Sequence, residues 1–338
     1  MHIHHIRYLA IIACAVSLFG SCAPSSDPPA QEEPARRRAP VGQPSWKTLA
    51  EMPTPRTEVA GAAVGSKIYV IGGFAEVGGT VPTVEIYDAD GDEWSSGPDL
   101  PIGVNHAMAT ARRGKVYLFG GYRGPGIAKP TRRAFVLKKG TWRSLPRMPY
   151  PVAAGGAIAS GGKIYIVGGV KRLDRAEGHR LSPRTLVYNP KKRTWRKRPG
   201  LPTKRQHLGA AGHAGRLYVV GGRIQGLQAN LATSEAFNRF QAKWRSLPDM
   251  PTARGGLAAA ATSSGLIVAI GGEEGSGTFE EVEAFDTSGG GWTSLPALPT
   301  PRHGLAVVAL GDRVFAIAGG AQPGLTYSGA NEMLDLSP

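Results

Sequence analysis

A short apolar run stopped by two glycines recurs along this chain. Lys67-Ile-Tyr-Val-Ile-Gly-Gly73 is followed by Lys115-Val-Tyr-Leu-Phe-Gly-Gly121, Lys163-Ile-Tyr-Ile-Val-Gly-Gly169 and Arg216-Leu-Tyr-Val-Val-Gly-Gly222. Weaker copies stand at Leu266-Ile-Val-Ala-Ile-Gly-Gly272 and Arg313-Val-Phe-Ala-Ile-Ala-Gly-Gly320, the last with an extra Ala318 before its glycines. Each run has the length and β-rich composition of a buried strand, and the glycines mark a sharp bend at its end. The first glycines fall at 72, 120, 168, 221, 271 and 319, in steps of 48, 48, 53, 50 and 48 residues. A period near 50 identifies a repeat architecture.

The rest of the repeat follows from the same phase. In the first copy, Thr57–Val64 reads as a small-residue strand, Lys67–Ile71 as the Gly-Gly strand, residues 74–83 as a loop, Val84–Asp88 as a third strand and Glu93–Ser96 as a fourth. Tryptophans at 46, 94, 142, 195, 244 and 292 keep step with the glycines. Four short strands per repeat make one propeller blade. A seventh tryptophan would be due just past Pro338, so the sixth blade lacks its own outer strand, while Trp46-Lys-Thr-Leu49 precedes the first blade unpartnered. Closing the ring with that N-terminal strand completes six blades and leaves no open sheet edge.

Gly-Gly, then Glu-x-Tyr-Asp, then Trp about 21 residues after the glycines resembles the Kelch repeat across residues 46–338. The expected fold is therefore all-β, a six-bladed Kelch-type β-propeller with its last blade closed by the N-terminal strand. Blade 2 departs from the pattern with Ala134-Phe-Val-Leu-Lys138, and blade 5 with Val268 at the tyrosine position. Such a fold hosts many functions, so activity has to be read from sites.

Upstream of the repeats, residues 1–21 read as an export signal. Met1–Tyr8 is short and carries Arg7, and Leu9–Phe19 is an apolar run too short for a permanent span. Leu18-Phe-Gly-Ser-Cys22 resembles the lipobox of bacterial lipoproteins, which implies lipid attachment at Cys22; Phe19 replaces the usual leucine. Ordinary secretory cleavage near the same place is the alternative. Ala23 is not the aspartate that retains lipoproteins at the inner membrane, so the resemblance implies the outer membrane or periplasm, with a secreted form as the other reading. Residues 22–45 are proline-rich, carry Arg36-Arg-Arg38 and read as a flexible tether.

Charge separates the repeats into two groups. The chain carries a net +15, yet residues 101–220 alone hold 26 Lys and Arg against only Asp174 and Glu177. A basic sector over blades 2–4 follows, serving either solubility or an anionic partner. An anionic glycan or an acidic protein fits an exported, tethered domain better than nucleic acid does. A monomer is expected.

Candidate chemistry gathers on one face, where each outer strand leads into the next blade and the loops leave Gly-Gly. Pro53-Thr-Pro-Arg56 recurs as Pro202-Thr-Lys-Arg205, Pro251-Thr-Ala-Arg254 and Pro299-Thr-Pro-Arg302, with Val104 and Val152 in blades 2 and 3. The four arginines read either as an anion-binding ring at the channel mouth, beside His106, His207 and His303, or as Kelch consensus residues bonded to carbonyls of neighbouring blades. The loops add Glu76, Arg123, Arg223, Gln225 and the pair Glu273-Glu274. A long basic insert, Lys171–Arg184 with Arg172 and Arg175, causes the 53-residue step and is the preferred place for specific recognition.

Enzyme readings meet specific obstacles. Ser160-Gly-Gly-Lys163 has a Ser-x-x-Lys spacing, but it lies in the hairpin between the first two strands. Cys14 and Cys22 are the only cysteines, so the propeller carries neither a disulfide nor the Tyr–Cys ligand of Kelch-type copper-radical oxidases. No local Cys/His ligand spacing suggests a metal, and no cofactor is expected. The remaining enzymatic analogy is to sialic-acid mutarotase (N-acetylneuraminate epimerase). It would use Arg56, Arg205, Arg254 and Arg302 for a carboxylate, with Glu273, Glu274 or His303 as acid or base. The preferred reading is non-catalytic binding.

Overall fold

A computed structural model describes residues 43–77, 79–127, 129–174 and 178–338. They form six four-stranded antiparallel sheets, with further small pairings at one face. From the inside outward, the first sheet runs Ala60–Val64, Lys67–Ile71, Val84–Asp88 and Glu93–Ser96. In the sixth, Ala306–Leu310, Arg313–Ile317 and Asn331–Asp335 are completed by Ser45–Thr48, with Trp46 opposite Leu334. Neighbouring inner strands touch in a closed circuit, so the sheets are blades of a β-propeller. Gly-Gly strands such as Lys163–Val167 are buried almost end to end because blades cover both of their faces. Among the described residues no helix is long and apolar enough to cross a membrane.

The glycine pairs join blade to blade. Gly73, Gly121, Gly169, Gly222 and Gly272 donate their N–H groups to the carbonyls of Val104, Val152, Arg205, Arg254 and Arg302 in the next blade, at 2.7–3.0 Å. Gly319 closes the circuit onto the Arg56 carbonyl at 2.8 Å. In five blades the preceding position is a glycine, where space and backbone conformation both disfavour a side chain. Gly120 has φ +62°, and a Cβ there would stand 2.0 Å from the Val152 carbonyl oxygen. In blade 6 the pair is Ala318-Gly319, at φ +61° and +108°. Ala318 N–H donates to the Ala330 carbonyl as Gly72 N–H does to that of Thr83. The expected extra residue is thus no insertion: Ala318 takes the first corner and Gly320 moves on to the next position. Around the outside, each tryptophan indole donates to a carbonyl at the exit of the preceding blade, as Trp94 does to Ala50 and Trp46 to Pro296.

Three stretches differ from expectation. The first strand is broken at Glu58, whose φ of +53° interrupts the run between Arg56–Thr57 and Ala60–Val64. The loop over 74–83 is partly ordered as Phe74–Ala75 and Gly79–Thr80, paired with Arg56–Thr57. The basic insert forms a hairpin of Val170–Asp174 against Gly178–Leu181, while Arg175 lies outside the described residues.

The four recurrent arginines do not ring the channel mouth. Arg56, Arg205, Arg254 and Arg302 are wholly buried inside their blades. Each meets a glutamate of its own third strand: Glu85 at 2.7 Å, Glu235 at 2.6 Å, Glu283 at 2.7 Å and Glu332 at 2.5 Å. Other donors reach carbonyls of the same blade, such as Gly72 and Thr83 for Arg56 and Ala316 and Ala318 for Arg302, while the Nε of Arg56, Arg205 and Arg254 has no partner among the described residues. Thus it is the structural alternative that holds, with the carbonyls belonging to the arginine's own blade. Blades 2 and 3 replace both partners: Val104 and Val152 stand for the arginine, and Phe135 and Leu186 occupy the glutamate position, all buried. A buried charge pair exchanges for an apolar pair of similar volume at little net loss, whereas half a pair leaves an uncompensated charge.

Two stability tests follow. Gly120→Ala is expected to destabilise by more than ~2 kcal/mol, because backbone strain adds to overlap. Gly114→Ala, at φ +66° with open space around it, is expected to cost only about 1 kcal/mol; both are read from denaturant unfolding. Arg302→Ala is expected to lose about 3–5 kcal/mol, with the double change Arg302→Val, Glu332→Leu recovering most of it. Equal losses in the single and double variants would contradict the exchange seen in blades 2 and 3.

Candidate functional site

Two residues beyond each arginine position the backbone turns left-handed in every blade. The residues are Glu58, His106, Ala154, His207, Gly256 and Gly304, with φ between +51° and +74°. Each hands its carbonyl to the equivalent N–H of the next blade: Glu58 to His106 at 2.9 Å, His106 to Ala154 at 2.9 Å, Ala154 to His207 at 2.8 Å, His207 to Gly256 at 3.0 Å and Gly256 to Gly304 at 2.9 Å. Val59 N–H closes the ring onto the Gly304 carbonyl at 3.2 Å. Glycine suits this conformation, and a side chain there costs about 1 kcal/mol. Three blades nevertheless carry Glu58, His106 and His207, and these side chains meet at the axis.

Their geometry is set from behind. Asn105 Nδ2 donates to the Gly126 carbonyl at 3.3 Å and to Thr80 Oγ1 at 2.8 Å, so Asn105 Oδ1 faces His106 Nδ1 at 2.7 Å as an acceptor. Gln206 Nε2 donates to the Gln225 carbonyl at 2.9 Å and to His179 Nδ1 at 2.9 Å, and Gln206 Oε1 accepts from His207 Nδ1. Both rings therefore carry their proton on Nδ1. The two Nε2 atoms face each other 3.0 Å apart, and Glu58 Oε2 lies 3.1 Å from that of His106.

A second set shares Glu58. His303 Nε2 donates to the Gln322 carbonyl at 3.1 Å, while its Nδ1 stands 3.3 Å from Glu58 Oε1 and 3.6 Å from Glu273 Oε2. Arg223 holds Glu273 Oε1 at 2.9 Å, and Gly324 N–H donates to its Oε2 at 3.2 Å.

Burial pulls His106 down in pKa and His207 well below the ordinary histidine range, which disfavours charge on both rings. Burial also opposes charge on His303, but its hydrogen bond to Glu58 and the two carboxylates outweigh that and push it up. Burial raises Glu58 in turn, and the surrounding histidines overcome it and hold the carboxyl below the usual range.

This polar floor closes a cavity of about 370 Å³. The walls are apolar, from Phe74, Ile127, Leu227 and Leu325. Glu58, His106 and His207 also line a smaller space of about 110 Å³ below, so they form a partition across the channel. Val77, Ile127, Leu173, Ile224 and Leu325 are exposed, and all five lie in loops that follow Gly-Gly.

The sequence-derived candidates scatter when placed. His303 and Glu273 join the floor, while Glu274 is turned outward and accepts from Ser276 Oγ at 2.6 Å. Arg172 lies exposed on the insert hairpin, opposite Arg180. The hairpin reaches the mouth through His179. With Arg56, Arg205, Arg254 and Arg302 buried, the carboxylate-binding role taken from the mutarotase analogy has no arginine of that set in the cavity. Sequence reasoning named His106 and His207 only as neighbours of the arginines, and it missed Glu58, Asn105 and Gln206. Their common phase, two residues or one residue past the arginine position, was the available signal.

Beside the mouth, on blade 2, Arg123, Arg132, Arg133 and Arg147 line a depression of about 280 Å³ that includes no carboxylate. On the outer side, Lys163, Lys192, Arg196, Arg198 and Arg239 line another, between blades 3 and 4.

Comparison with known proteins agrees with the architecture. A family model described as the KLHDC2/KLHL20/DRC7 Kelch-repeats domain matches residues 105–320. A Kelch motif matches residues 55–101. Kelch-like protein 4 of Homo sapiens is 41% identical over 64 residues, which span 19% of this chain and 8% of that protein. Repeat phase, blade topology and these matches together place the chain in the Kelch-repeat family of β-propellers.

Proposed function

We propose that this propeller is a non-catalytic binding module that takes an acidic protein segment across the mouth face of blades 2 and 3. Kelch propellers in general serve as protein-binding modules, which supports the broad class. The observation that carries the finer reading is the depression lined by Arg123, Arg132, Arg133 and Arg147 without a carboxylate. Guanidinium groups present fixed forks of donors matched to carboxylates. Beside it, the apolar walls of the central cavity and the exposed Ile127 and Leu325 offer burial for a side chain of the same segment. An aromatic or aliphatic anchor within a charged rim is the usual anatomy of a protein interface.

In this reading the module works in the cell envelope. The apolar run Leu9–Phe19 and the lipobox-like stretch ending at Cys22 support a lipid anchor at the outer membrane or periplasm, and the tether that follows gives the propeller reach. Those residues lie outside the described structure.

The test compares a poly-glutamate peptide, a polyuronate glycan and uncharged controls for binding to the full chain and to an Arg123→Glu, Arg147→Glu variant. The peptide is expected to bind the native chain, to weaken by about tenfold or more between low and physiological salt, and to lose most of its affinity in the variant. Selective binding of the polyuronate would move the assignment to an anionic glycan. Equal binding by native and variant chains would remove blade 2 as the contact. For the anchor, Cys22→Ser is expected to release the protein from membranes into the soluble fraction.

A further inference from the structure

The three side chains on the axial ring share a property that protein binding does not require. Glu58, His106 and His207 occupy equivalent positions in blades 1, 2 and 4, each in a left-handed conformation that alanine takes in blade 3 and glycine in blades 5 and 6. Strain at three positions whose polar side chains converge on the axis points to a role for those side chains. Their orientation is fixed by hydrogen bonds that leave both imidazole Nε2 lone pairs aimed inward. The Asn105 and Gln206 amides cannot turn over without setting their NH2 groups against ring N–H groups and their oxygens against the Gly126 and Gln225 carbonyls.

Two lone pairs 3.0 Å apart, with a carboxylate oxygen 3.1 Å from one of them, repel unless a positive charge stands between. All three donor atoms lie within 4.8 Å of one another. Imidazole nitrogens bind zinc-like ions at about 2.0–2.1 Å. Ligands at that radius stand about 3.0 Å apart at right angles and about 3.3 Å apart at tetrahedral angles, by simple trigonometry on those bond lengths. The two separations at His106 match this spacing, while Glu58 and His207 stand farther apart, within 4.8 Å, and draw together around an ion.

We infer that Glu58, His106 and His207 form a binding site for a divalent first-row transition metal ion of the zinc type. Two imidazoles and one carboxylate select such an ion over magnesium or calcium, which prefer oxygen. Amides holding the far nitrogen of each ring are the outer support that orients metal-binding histidines. All three ligands also line the mouth cavity, so coordination positions remain open toward it. A carboxylate of a bound partner fits such a position. The overlapping set of Glu58, Glu273 and His303 is the weaker claimant, because Arg223 already compensates Glu273 at 2.9 Å.

The experiment uses the full chain, loaded with Zn²⁺, dialysed and assayed for bound metal, with Co²⁺ absorption as a spectroscopic probe. His2, His4 and His5 lie outside the described residues and belong to every variant, so differences between proteins carry the result. The native chain is expected to retain one equivalent of Zn²⁺ more than the Glu58→Gln, His207→Ala variant. Zn²⁺ should also raise its unfolding temperature, and EDTA should reverse the rise. Replacing Asn105 and Gln206 by alanine leaves the ligands in place and should weaken binding by about 10–100-fold. If the double variant is folded, equal zinc content in the two proteins overturns the site. If it fails to fold, the native chain decides alone: no zinc-dependent shift in its unfolding temperature and no Co²⁺ band overturns it equally.

Discussion

Everything in this propeller hangs on one repeated hydrogen bond, from the N–H of the second corner residue to the carbonyl at the arginine position of the next blade. Five of the six donors are the second glycine of a pair, and the sixth is Gly319. The bond forms only if two strands from different blades approach almost to backbone contact, and that approach leaves no room for a Cβ at Gly72 or Gly120. It also places the arginine position at the seam, so the main chain serves the preceding blade while the side chain enters its own. The buried Arg–Glu pair and the left-handed axial ring are both consequences of where that seam puts the chain.

The blades were legible because glycine and tryptophan are demanded by contacts that repeat with the period. Gly120 cannot be anything larger, and each tryptophan has a carbonyl of the preceding blade to meet. The arginines were legible as a repeat but not in their surroundings. Sequence spacing says that Arg56 and Arg302 are equivalent, not that each will find a glutamate some 30 residues on. Yet the sign was present: the two blades with Val104 and Val152 are those with Phe135 and Leu186 in place of the glutamate. The blade 6 misreading has a similar origin, since Ala318 adopts the conformation reserved elsewhere for glycine.

The candidate site was harder, because its members come from different blades and share no local motif. Glu58, His106 and His207 are separated by 48 and 101 residues and converge only when the ring closes. What the polar floor shows is a division of charge within the molecule. Inside the blades and beneath the mouth, charges are matched one to one, as in Arg223–Glu273 and the four Arg–Glu pairs. Among the described residues, those lining the blade 2 depression have no carboxylate beside them. The matched charges hold shape, and the unmatched ones are where an outside partner gains most.

The N-terminal strand in the sixth blade has a consequence for the history of the molecule. Among the described strands Ser45–Thr48 is the first in the chain, and its partner, Asn331–Asp335, is the last. During synthesis five blades can assemble in order while the sixth waits, with an inner edge of blade 1 still uncovered. Contacts of such long sequence separation form slowly. The growing chain therefore carries two complementary sticky ends until the last turn, and a neighbouring copy at the same stage can satisfy either one. Ring closure buries both ends against each other and removes them as sites for joining another chain.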